Sequence, residues 1–199
     1  GAPVHGTIDV ARRTVLRNHH TATHIVYQSA RRILGPHVWQ HGAKKTVEEA
    51  HLDITHFNAL TFEQERAIET EANRAIRANY PITKKWWPKE KAEQTYGYKL
   101  YQGGIAPGKM LRVVDVAGFD TEACCGTHCD TTGQVGLVRI IRSHRISDGI
   151  VRLHFVAGDR ALEYMNEECT LLNSLGNLWG VGKQDIIATA TRFFQGYKK

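Results

Sequence analysis

The sequence predicts an α+β fold, an antiparallel sheet packed by two main helices and followed by a C-terminal helical segment. Three observations predict it. Residues 18–34 and 61–79 carry apolar or small side chains at helical spacing. Residues 37–57, 110–117 and 135–157 hold short alternating or apolar stretches of strand type. From Asp159 on, Leu162, Met165, Cys169 and Leu172 step by three, four and three residues, the seam of a further helix.

In chain order, residues 4–10 alternate as a short strand. Asn18 then caps a helix whose Ala22, Ile25, Ser29 and Ile33 share a face, and Gly35-Pro36 stops it. Residues 37–57 read as two strand pieces around the polar turn Gly42-Ala43-Lys44-Lys45. In the second piece Leu52 and Ile54 alternate with His51, Asp53 and Thr55. Thr61 and Gln64 have the spacing of a capping box, Ile68, Ala72, Ala75 and Ile76 line the helix that follows, and Asn79-Tyr80-Pro81 ends it. Residues 81–99 are basic and aromatic, 110–117 form a buried strand, and 135–157 form a hairpin turning near Ser147-Asp148-Gly149. Gly176, Gly180 and Gly182 interrupt the C-terminal helix, and a second one starts near Asp185. The expected domains are residues 1–160 and a helical segment, 161–199.

Composition narrows the function. The 199 residues include 42% hydrophobic and 23% charged side chains, which excludes disorder and suffices for a core without disulfides. No apolar stretch approaches the roughly 20 residues of a membrane span. The first residues, with His5, Asp9 and Arg12, are not a signal peptide. Beginning at Gly1 in running sequence, the chain is expected to be a piece of a longer protein. Of 4 cysteines, Cys124, Cys125 and Cys129 cluster, which suits metal ligation or catalysis in a reducing, cytoplasmic compartment. A net charge of +6 and 11 histidines point to an anionic partner, nucleic acid first.

The sharpest chemical signal is His20-Thr21-Ala22-Thr23-His24. Four-residue spacing puts both imidazoles on one helix face, about 6 Å apart at Cβ. The metalloprotease pattern also needs a Glu after the first His, and that Glu is missing. Cys124 and His128 repeat the spacing around a glycine. Two such pairs would give three nitrogens and one sulfur, a set that suits tetrahedral zinc. Cys125 or Cys129 could replace Cys124 as the thiolate, and spacing alone does not choose. The bland alternative is two exposed helix histidines and small cysteines filling the core.

Weaker signals stand beside it. Residues 103–109 fit the glycine and lysine spacing of a phosphate-binding loop, but Met110 stands where Ser or Thr is required and strand-like residues follow. Lys84, Lys85 and Trp86, in a stretch that also holds Trp87, suit phosphate contact and base stacking, or else a solvated loop whose tryptophans plug into the core. Asp53 and His56, three apart on a strand, lie on opposite faces and do not make an acid–base pair.

Residues 18–24 (NHHTATH), 122–128 (EACCGTH) and the Asp148-Gly149 hairpin together resemble the editing domain of archaeal-type alanyl-tRNA synthetases. Freestanding alanyl-tRNA editing proteins share that core. Residues 37–40, 52–57, 101–104 and 107–108 fit as well, so the likeness runs from about residue 1 to 160. The resemblance implies the α+β editing-domain fold and zinc held by His20, His24, Cys124 and His128. It implies a deacylase, part of an alanine–tRNA ligase, that hydrolyses Ser-tRNA(Ala) and Gly-tRNA(Ala). It also implies tRNA(Ala) and the rest of the synthetase chain as partners, and self-association through the C-terminal helices.

Gln40 matches a polar position of the family's editing pocket. Thr21 and Thr23 stand between the histidines, where a hydroxyl could meet the serine side chain, or bond back to the carbonyl four residues earlier. On this resemblance zinc is expected chiefly to position the aminoacyl end. Arg12, Arg13 and Arg17 precede the zinc helix and would guide the acceptor end, unless they are an ordinary charged surface. The family has Gly where this chain has Cys125; if that Gly needs positive φ, Cys125 costs on the order of 1 kcal/mol. The alternatives are a non-catalytic, zinc-stabilised tRNA-binding module and a freestanding editing protein.

Overall fold

The computed structural model describes residues 3–197. The chain forms two compact units, Gly1–Ala161 and Leu162–Lys199. The outermost residues of both expected domains, 1–2 and 198–199, lie outside the described residues.

In the first unit, helix α1 (Val10–Leu34) is followed by strands β1 (Gln40–Lys45) and β2 (Ala50–Thr55) and by helix α2 (Phe62–Arg77). Strands β6 (Val138–Ser147) and β7 (Ile150–Ala157) complete an antiparallel sheet of order β1-β2-β7-β6. Alternation puts Leu52, Ile54, Val151, Leu153 and Phe155 in the core, all completely or almost completely buried. Ile25 and Val26 of α1 and Ile68 and Ala72 of α2 join them there. Thr61 caps α2 with both bonds of the capping box present. Gly149, at φ 71°, makes the tight β6–β7 turn.

A separate antiparallel sheet of order β3-β4-β5 is built from β3 (Ile82–Pro88), β4 (Met110–Val116) and β5 (Asp120–Ala123). Short helix α3 (Lys89–Tyr96) adjoins it, and Ala92, Leu100, Leu111 and Val113 form a small second core. The α+β class holds, with two sheets rather than one.

Local differences have physical causes. Residues 4–9 form no strand; α1 begins at Val10, because the Asp9 carboxylate accepts from the Arg12 backbone N–H at 2.9 Å. Asn18 is therefore a buried mid-helix residue and not a cap. Gly42–Lys45 lies inside β1, and the turn falls at residues 46–49, where the Thr46 hydroxyl accepts from the N–H groups of Glu48 and Glu49. Residues 103–109 precede β4 and open no helix, so no phosphate-binding loop is formed.

In the second unit, α4 (Asp159–Trp179) runs through Gly176 and stops before Gly180, which has φ 65°. Helix α5 (Ile186–Tyr197) follows. Leu162, Met165 and Leu172 are exposed. Among the described residues no helix is long and apolar enough to cross a membrane.

Candidate metal centre and cationic cleft

Helix α1 presents His20 and His24 one turn apart, and the loop after β5 brings Cys124 and His128 to them. One ligand atom from each of the four lies within 4.8 Å of every other. Cys124 Sγ is 3.4 Å from His20 Nε2 and 3.3 Å from His128 Nε2. A tetrahedral shell with bonds of about 2.05 Å to nitrogen and 2.3 Å to sulfur has N···S edges of about 3.5 Å. The four side chains therefore fit one divalent ion. Neither Cys125, which is exposed, nor Cys129, which is fully buried and gives its thiol to Asn18 Oδ1 at 3.4 Å, belongs to the set.

The electrostatics favour ligating forms. Burial, then His24, Lys45 and Arg112, hold His20 down at about 3. Burial and the neighbouring His24 and His20 push His128 far below its ordinary value. Both rings are thus neutral donors. Burial pushes the Cys124 thiol up, but His24 and the Gly126 N–H outweigh it, and the net shift is downward.

The loop is held from three sides. The Arg112 guanidinium on β4 donates to the carbonyls of Cys124 and Gly126, both at 2.8 Å. Lys84 on β3 donates to the His128 carbonyl at 3.4 Å and to Asp130 at 2.5 Å. Thr21 Oγ1 accepts from the Cys129 N–H at 3.0 Å and lies 3.4 Å from His128 Nδ1. Gly126 packs directly on His20: a Cβ there would lie 1.9 Å from Cε1. Cys125 is not in the left-handed region, where Asn79 is the one non-glycine among the described residues. The expected strain at 125 is absent; the glycine that the geometry requires is the next one.

Two further groups escaped the sequence reading. His24 Nδ1 lies 2.6 Å from Glu122 Oε2 and 3.9 Å from Asp120 Oδ2. The first contact is bent away from hydrogen-bond geometry, and neither Glu122 oxygen has a hydrogen-bond partner. Burial, then Glu122, raises the Asp120 carboxyl well above the usual range, and burial raises Glu122 to about 8. Their signal is a period of two: Asp120, Glu122 and Cys124 share one face at the β5 edge.

Beside His20 opens a cleft of about 510 Å³, lined by Arg12, Arg13, Arg17, Lys45 and Thr127 with Ile8, Asp9 and Leu16. The structure thus puts the three arginines next to the cluster and adds Lys45, which sequence alone did not single out. Gln40 sits at the far end of β1 from Lys45, its Oε1 buried and unpartnered. Thr23 is buried and donates back to the His19 carbonyl at 2.8 Å. Lys85 and Trp86 are exposed on β3, Trp86 at 62%, while Trp87 packs on the second core.

Residues 111–154 match the family model described as the threonyl and alanyl tRNA synthetase second additional domain. The chain is 46% identical over 194 residues to the alanine–tRNA ligase of Methanocella arvoryzae, 98% of this chain and 22% of that protein. It is 42% identical to the enzyme of Methanopyrus kandleri and 41% to that of Thermococcus kodakarensis, over 100% of this chain and 22% of each relative. The chain thus spans about a fifth of the curated relatives it matches, and it resembles them over its whole length.

Proposed function

We propose that this chain, similar throughout to a segment of archaeal alanine–tRNA ligases, is their proofreading module and deacylates Ser-tRNA(Ala) and Gly-tRNA(Ala). The observation that carries the reading is the four-residue cluster of His20, His24, Cys124 and His128 opening onto a cationic cleft. The ligand set favours zinc, a borderline-soft ion that accepts imidazole and thiolate together. Bound there, zinc would polarise and orient the aminoacyl end.

The protein's own groups do the rest. The arginines and Lys45 draw the phosphates of the single-stranded acceptor end into the cleft. Trp86 offers a face for a base, and Lys85, exposed on the opposite face of β3, adds to the basic field of the strand. Lys84, paired with Asp130, holds the metal loop and contributes its field to the tRNA side. Gln40, whose Oε1 is buried at the far end of β1 from the cleft residue Lys45, would have to open toward the cleft to hold the attacking water, and backbone N–H groups would take the developing oxyanion. Both threonine hydroxyls are engaged inside the fold, Thr21 with the Cys129 N–H beside His128 and Thr23 with the His19 carbonyl, so a serine hydroxyl would be read by polar groups that line the cleft. Alanine would leave such polar groups unpaired, which is how a hydrolytic site spares the correct product.

The test is turnover. The chain is expected to hydrolyse Ser-tRNA(Ala) and Gly-tRNA(Ala) and to spare Ala-tRNA(Ala); His20→Ala should stop hydrolysis while tRNA still binds. Equal hydrolysis of all three would remove the proofreading role. One observation favours a second reading: four protein ligands make a closed shell, the mark of a structural ion. A zinc-stabilised tRNA-binding module would bind tRNA and hydrolyse none of the three.

A further inference from the structure

The ring of His24 has two nitrogens and two surroundings. Nδ1 lies 2.6 Å from the Glu122 carboxylate, so the nitrogen left for the cluster is Nε2. Glu122 is completely buried on β5, where its oxygens make no hydrogen bond and the Asp120 carboxyl is its acidic neighbour. A buried polar side chain without a hydrogen-bond partner is costly, and here its oxygen faces one group, the His24 ring nitrogen. His128 is built the same way, with Thr21 Oγ1 3.4 Å from its Nδ1. Two of the three imidazoles therefore carry an oxygen behind the ring.

We propose that Glu122 is a positioning residue of the metal centre: through His24 Nδ1 it fixes the tautomer and ring plane that present Nε2 to the ion. Asp120, 3.9 Å from the same nitrogen, backs it. An oxygen held against one ring nitrogen decides which nitrogen is left to face the ion, and it orients the ring. The proposal rests on the reading of His20, His24, Cys124 and His128 as a metal site. The rival arrangement, a second cation held by His24, Asp120 and Glu122 themselves, is an outcome of the test.

The experiment measures zinc affinity of the full chain by chelator competition, zinc stoichiometry, and the visible spectrum of the cobalt(II) form. Two acceptor-free replacements of different size, Glu122→Met and Glu122→Ala, guard against one failing to fold; Glu122→Gln keeps an acceptor oxygen. The expected result is one ion per chain, affinity about 10–100-fold lower in the acceptor-free variants with shifted cobalt bands, and most of that loss recovered in Glu122→Gln. Wild-type affinity and an unchanged spectrum in the acceptor-free variants would overturn the role of Glu122 while leaving the metal site standing. So would Glu122→Gln as weak as Glu122→Ala, or two ions per chain with one lost in every variant. A wild-type chain that binds no zinc would overturn the metal reading and this proposal with it.

Discussion

At position 126 there is no room for a side chain. A Cβ would meet His20 Nδ1 at 2.3 Å as well as Cε1, so Gly126→Ala must push a cluster residue aside. Overpacking of this kind costs about 1–3 kcal/mol. Zinc affinity is therefore expected to fall about 5- to 150-fold, read by chelator competition. Cys125→Gly, one residue earlier at an exposed site of ordinary φ, is expected to leave affinity unchanged and to move stability by less than about 1 kcal/mol in a urea melt. The contrast explains what the sequence hid: the paired spacings pointed to His20, His24, His128 and one of three cysteines as candidate ligands, but which glycine matters depends on where His20 lands. A second residue-scale prediction concerns His56, lowered by burial and then by His37, whose Nε2 is 2.9 Å from its Nδ1. A base depressed in the folded state takes up its proton less readily there than in the unfolded chain. Stability is thus full above the unfolded value of about 6.5 and declines as pH falls below it, toward the lower folded value. His56→Gln should flatten that decline relative to wild type in melts from pH 7.5 to 5; an identical pH profile would contradict the assignment.

Strand β3 shows at the element scale how alternation separates roles. Trp86 and Trp87 are adjacent, so they face opposite ways: Trp87 meets Tyr96 edge-on, ring centroids 5.6 Å apart, whereas Trp86 is exposed and in register with Arg112. Trp87→Ala is expected to lower stability by about 3 kcal/mol, as the loss of a packed aromatic does, without a direct effect on tRNA affinity. Trp86→Ala should leave the melting curve nearly unchanged and weaken tRNA binding by about 1–3 kcal/mol, the worth of one stacked base. Exchanged phenotypes would mean the strand is read one residue out of register. The sequence allowed either fate for both tryptophans, because basic residues flank them and obscure the period of two. Elements with clean punctuation were legible: α2 through Thr61 and Gln64, and the β6–β7 hairpin through Asp148-Gly149. The first turns of α1 were not, because residues 10–17 expose arginines toward the cleft and lack the apolar rhythm that marks a helix. Glu122 stayed hidden for a related reason: a strand glutamate reads as solvent-facing until its neighbours are known.

Across the molecule, the excess charge of +6 would be a weak guide to a partner if it were spread evenly. It is not spread evenly. Arg12, Arg13, Arg17 and Lys45 line one cleft, and Asp9, the acid among the lining residues, caps α1 with its carboxylate. On the proposed function, cations concentrated beside the cluster would draw the end of a polyanion toward it. The physical signature of such an attraction is counterion release. Each phosphate of a single strand that is neutralised adds about 0.7 to the slope of log affinity against log salt. Replacing Arg12, Arg13 and Arg17 together by Ala is therefore expected to reduce the magnitude of that slope by about 2. The measurement is tRNA binding between about 50 and 200 mM salt, the range over which phosphate contacts dominate affinity. Arg12 and Arg13 are exposed, so the variant's fold should survive, and zinc content serves as its control. A slope equal to wild type, with affinity lowered by the same factor at every salt concentration, would mean the arginines shape the cleft without meeting phosphate. The acceptor end would then reach the cluster by another path, and the exposed face of Trp86 on β3 is the next surface to test.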